Sequence, residues 1–119
     1  MDESFSRWLA LREPVDAEAR SSTLTRTINE RLPLDRPLQI VDLGTGTGSN
    51  LRYLIERLPP RQDWLLVDSD ANLLAEVPAR MADWAATRRL QADKTGGGLL
   101  ITGGALVTVS VATRLVVKP

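Results

Sequence analysis

Apolar residues along this chain follow a helical period first, then a strand period, then both again. Phe5, Trp8, Leu9 and Leu11 recur at helical spacing, and Pro14 is expected to end that helix or start the next. Asp16 is placed to cap a second helix with Ala17, Leu24, Ile28 and Leu32 on its apolar face. Asp16 and Arg20, four apart, have the order that suits an exposed ion pair. A short linker, Pro33-Leu34-Asp35-Arg36-Pro37, leads to the run Leu38, Ile40, Val41, Leu43, which predicts a first strand. Three glycines spaced two apart follow, and then a new helical stripe of Leu51, Leu54, Ile55 and Leu58 begins at about Ser49. Pro59-Pro60 stops that helix, and Tyr53 sits at the margin of its stripe.

Asp63-Trp64-Leu65-Leu66-Val67-Asp68 reads as a buried second strand ending in a carboxylate. The next helix carries Leu73, Val77, Met81 and Trp84 or Ala85 on one face, with Met81 and Trp84 as core; Pro78 should break or kink it and open a second helix. Arg88, Arg89 and Lys94 read as a solvated basic exit from that helix. Gly96-Gly97-Gly98 reads as a flexible hinge. Leu99–Thr102 and Ala105–Val111 flank Gly103-Gly104, a hairpin pattern, with Val107, Val109, Val111, Leu115 and Val117 alternating onto one face. Ala112–Val117 is expected to form the third strand of the sheet. The fold class is therefore α/β.

Composition narrows this modestly. At 119 residues the chain is at most one small domain, and 43% apolar with 25% charged residues is ordinary for a globular protein. Fifteen basic and fifteen acidic residues balance, which argues against nucleic acid or a membrane surface held by bulk charge. Cysteine and histidine are both absent, which removes thiol nucleophiles, imidazole bases and most zinc sites. Met1-Asp2-Glu3-Ser4-Phe5 is acidic and lacks the apolar core of a signal peptide, and no run reaches a membrane span, so a cytoplasmic location is the default.

The chemistry concentrates in Asp42-Leu43-Gly44-Thr45-Gly46-Thr47-Gly48-Ser49-Asn50. Strand, glycine turn and helix in that order suit a ligand: glycines let the backbone double back, and no Cβ blocks its approach. The dinucleotide pattern G-x-G-x-x-G fails, because Ser49 stands where its third glycine belongs, and no lysine is present for a P-loop. What stands here is D-x-G-x-G-x-G. Asp68, about 24 residues beyond Gly44, could accept hydrogen bonds from both hydroxyls of a ribose. Asp70, just before Ala71-Asn72-Leu73-Leu74, reads as a helix cap.

These residues resemble the class I S-adenosylmethionine-dependent methyltransferases, whose first motif reads acidic-apolar-Gly-x-Gly-x-Gly; Asp42, Gly44, Gly46 and Gly48 match it position by position. The resemblance implies a Rossmann-like open sheet, S-adenosyl-L-methionine on a loop of Asp42, Gly44, Thr45, Gly46, Gly48 and Asn50, the ribose on Asp68 and the adenine beside Ser69 and Asp70. It implies methyl transfer to an acceptor, by default a small molecule, and distinguishes no catalytic residue and no metal. Trp8-Leu9-Ala10-Leu11-Arg12-Glu13-Pro14 looks like the start of some bacterial members, so Arg12, Glu13 and Arg20 either face the site or are solvated helix charges. Residues 1–36 would be a helical cover and 37–119 a partial cofactor-binding domain, truncated after the third strand. The family often has an acidic residue after that strand; this chain has Val116-Val117-Lys118-Pro119. Such truncation would leave the outer edge of the first strand open to a partner chain or a second copy. The alternatives are a non-enzymatic cofactor-binding or interaction half-domain, and a nicotinamide-dependent oxidoreductase.

Overall fold

A computed structural model describes residues 3–104 and 106–117, apart from the side chains of Glu3, Leu106 and Val107. Two helices, α1 (Glu3–Ala19) and α2 (Ser22–Arg31), precede the first strand, β1 (Leu38–Leu43). The chain continues through α3 (Ser49–Leu54), β2 (Arg61–Asp68), α4 (Ala71–Ala75), α5 (Val77–Thr87), β3 (Gln91–Thr95), β4 (Gly98–Gly103) and β5 (Leu106–Leu115). The five strands form one open mixed sheet in the order β1-β2-β5-β4-β3. β1, β2 and β5 run parallel, and β4 and β3 extend the sheet antiparallel. The fold is α/β.

One face of the sheet holds the core. Trp64 and Leu66 of β2, Leu99 and Ile101 of β4, and Val109 and Val111 of β5 alternate toward it, as strand period 2 requires. Leu51 and Ile55 from the α3 segment and Val77, Met81, Trp84 and Ala85 from α5 pack against them. Gln62 is fully buried there without penalty: its amide donates to the carbonyls of Ile55 and Pro59 (both 2.8 Å) and accepts from Trp64 Nε1 (2.8 Å). The opposite face of β1 is open, with Val41 and Leu43 exposed at 60% and 76%.

Several expectations need correction. Pro14 lies inside α1, which runs through it unbroken. Polar contacts dock the stretch ahead of the proline: Glu13 on Arg52, and Ser6 on Glu76 and Arg80. Its apolar residues do not face the core. Trp8 and Leu11 are 48% and 72% exposed, while Ser6 is buried. Ser21, not Asp16, caps α2, accepting from Leu24 N at 3.1 Å; Asp16 pairs with Arg12 (3.3 Å) instead of Arg20. The helix after the glycines is shorter than its stripe, ending at Leu54 before a turn that carries Ile55 to Leu58.

Downstream, the break at Glu76 and Pro78 in the first turn of α5 match the pattern, and Arg88 caps the helix end. Gly96-Gly97-Gly98 is no hinge: Gly96 and Gly97 turn between β3 and β4, with Thr95 paired to Gly98. Lys94 accordingly lies on a strand rather than at a helix exit. Ala112–Val117 is not a separate third strand. Ala112–Leu115 continue β5, which pairs antiparallel with β4 on one side and parallel with β2 on the other, and Val116-Val117 lie past its end. The hairpin around Gly103-Gly104 is present, with Ala105 and the side chain of Val107 outside the described residues. Lys118 and Pro119 also lie outside them. Among the described residues no helix is long and apolar enough to cross a membrane.

Candidate functional site

The site residues gather where the parallel strands β1 and β2 end side by side. After Leu43 the chain turns on Gly44, Gly46 and Gly48, whose φ angles of 71°, 60° and 97° all lie in the left-handed region. Side-chain crowding forbids little here: a Cβ on Gly44 would meet nothing within 4 Å. The glycines are present because of backbone direction, and the space beside Gly44 is open. The N–H groups of Gly44 and Thr45 both donate to the Val67 carbonyl, at 2.8 and 3.0 Å, which straps the loop to the end of β2.

Two carboxylates organise the loop. Asp42 is buried; its Oδ2 accepts from Thr45 Oγ1 (2.7 Å) and its Oδ1 from Asn50 Nδ2 (3.0 Å). Asp68 is half-buried at the end of β2. Its Oδ2 accepts from Gly46 N and its Oδ1 from Asp70 N, each at 2.8 Å. Each Asp68 oxygen retains a lone pair beyond these bonds, since a carboxylate offers about four acceptor positions. Ser69 is exposed beside it, and Asp70 caps α4 by accepting from Asn72 N (3.0 Å) and Leu73 N (3.1 Å).

All eight sequence-predicted positions, Asp42, Gly44, Thr45, Gly46, Gly48, Asn50, Asp68 and Ser69, thus lie at the end of β1, on the loop, in the first turn of α3, or at the end of β2 and just after it. Sequence reasoning missed how the loop is braced from α1. Arg52 is buried and forms a bidentate pair with Glu13 (2.7 Å for both bonds), while also donating to the Thr47 carbonyl (2.7 Å) and Thr47 Oγ1 (3.1 Å). Arg20 donates to Asn50 Oδ1, which joins it through Asn50 to Asp42. Of the three N-terminal charges considered, Glu13 and Arg20 reach this framework and Arg12 does not; it pairs with Asp16 and stacks on Trp8. No local spacing signals a 39-residue separation such as Glu13–Arg52.

Among the described residues no cluster of three or more Asp or Glu is placed to hold a metal ion. In comparisons with known proteins, no family model, no curated protein and no solved structure matches the chain.

Proposed function

We propose that this chain is an S-adenosylmethionine-dependent methyltransferase domain of the class I, Rossmann-like type, with the cofactor on the glycine loop and Asp68, acting on a small-molecule acceptor. One observation carries the reading. Three left-handed glycines connect β1 to a helix beside its parallel neighbour β2, and the loop's Gly46 N–H lies 2.8 Å from the carboxylate that ends β2. Ligands of open α/β sheets bind at such strand ends. The residues fit the group: open space borders Gly44, and Asp68 keeps acceptor capacity for two ribose hydroxyls.

When bound, S-adenosylmethionine supplies a methyl group activated by its sulfonium. The chain's own residues bind and orient. Asp42, Thr45 and Asn50 hold the loop's shape, Gly44 and Gly46 let the ligand approach backbone, and Asp68 fixes the ribose with Ser69 beside the adenine. Methyl transfer in such a site depends on positioning more than on a dedicated base, so no catalytic residue is assigned.

The test is calorimetric titration with S-adenosylhomocysteine. The native chain should saturate, and Asp68→Ala should weaken binding at least tenfold, the loss expected when a charged hydrogen-bond acceptor is removed (about 1.5–3 kcal/mol). Failure of the folded native protein to bind would end the reading. A second reading, an interaction module, is favoured by the free edge of β1 with its exposed Val41 and Leu43, which suits a partner chain or a second copy.

A further inference from the structure

Away from the glycine loop, α1, α3 and α5 enclose a groove of about 480 Å³ with Tyr53 and Trp84 among its walls. Five arginines line it: Arg20, Arg52, Arg57, Arg80 and Arg88. Three are neutralised. Arg52 holds Glu13, Arg80 holds Glu76, and Arg88 holds Glu56. Arg20 and Arg57 have no carboxylate among the described ion pairs; Arg20 donates to Asn50 and Arg57 to the Tyr53 carbonyl.

These two are also the pair that share one aromatic ring. The Arg20 and Arg57 guanidiniums lie 4.5 and 4.2 Å from the Tyr53 centroid. That sets two like charges within about one Debye length (~8–10 Å) of each other in the lining of the groove. The groove's carboxylates are engaged or on other walls: Glu13 by Arg52, Asp16 by Arg12, and Asp83 on α5. Stacking on the ring restrains both guanidiniums, so each fork presents donors with less rotamer freedom left to lose. Two fixed, unneutralised forks attract a ligand that carries negative charge on several oxygens.

We propose that this groove is a binding site for a small multivalent oxyanion, held by Arg20 and Arg57 beside Tyr53. The site does not depend on the methyl-transfer reading. It meets the glycine loop through the Arg20–Asn50 hydrogen bond and through Arg52, which donates to Thr47, but among the described residues Arg57 makes no hydrogen bond there. The charge can come from phosphoryl or carboxylate groups, and the probes separate the two.

The experiment is NMR titration of 15N-labelled protein with sodium pyrophosphate and, separately, with citrate, at constant ionic strength set by sodium chloride. Saturable movement of the Arg20 and Arg57 Nε–Hε signals is expected. The midpoint should rise at least fivefold in Arg57→Gln, rise less in Arg57→Lys, and stay unchanged in Arg36→Gln, a linker arginine outside the groove. Tighter binding of pyrophosphate assigns a phosphorylated ligand, and tighter binding of citrate a polycarboxylate. Shifts that do not saturate, or that are the same in all four proteins, would overturn the site. Calorimetry with S-adenosylhomocysteine on Arg57→Gln should match the native protein, so loss of the oxyanion site and loss of the cofactor site are read separately.

Discussion

Gly44 and Gly98 are both glycines in left-handed backbone, but they answer to different constraints. At Gly44 the φ of 71° is the whole requirement, because a Cβ there would stand in open space. Gly44→Ala should therefore cost about 1–2 kcal/mol, the left-handed penalty of an L-residue. At Gly98, with φ of 158°, a Cβ would sit 1.9 Å from the Val111 carbonyl oxygen, itself fixed in the sheet. Gly98→Ala must displace one strand of the β4–β5 pair and should cost about 3 kcal/mol or more. Urea denaturation with an unchanged m-value would compare them. Equal losses would mean that the β4–β5 hairpin yields more readily than its register implies.

At the scale of elements, β1 is the exposed one. It pairs with β2 alone, and its outward side chains Val41 and Leu43 stand in water with no lysine or proline on the strand to discourage pairing. Sedimentation velocity should show concentration-dependent association of the native chain, and Val41→Lys with Leu43→Lys should reduce it while leaving the circular dichroism unchanged. A native chain monomeric at all concentrations would remove pairing with a second copy from the interaction reading. This strand was legible from sequence, and so were β2, the glycine loop, the break at Pro78 and the cap at Asp70, because each is set by local period or local hydrogen bonding. β3 was not: Gln91-Ala92-Asp93-Lys94-Thr95 lacks apolar alternation, and it is a strand because the Gly96-Gly97 turn pairs it with β4. The docking of α1 was also illegible. Its position is decided by Glu13, Ser6 and their partners on α3, on α5 and at the α4–α5 junction, none of which sequence spacing relates.

The molecule as a whole is braced through its candidate site. Asp68 joins the glycine loop to the turn before α4; Asp42 and Asn50 join it to Arg20; Thr47 and Arg52 join it to Glu13 on α1. A ligand that fills the loop therefore acts on contacts that also hold the N-terminal helices to the sheet, and it has no counterpart in the unfolded chain. Linkage then requires that S-adenosylhomocysteine at a hundred times its Kd stabilise the fold by about 2.7 kcal/mol. For a domain of this size that corresponds to a rise in Tm on the order of 10 °C. Thermal melts across a ligand series should rise with the logarithm of free ligand above Kd. The Asp68→Ala series should be displaced to higher ligand by the same factor that calorimetry gives for the loss of affinity. If the native Tm stays flat while calorimetry reports saturation, the ligand binds the unfolded chain equally well, and the loop is not the element it holds.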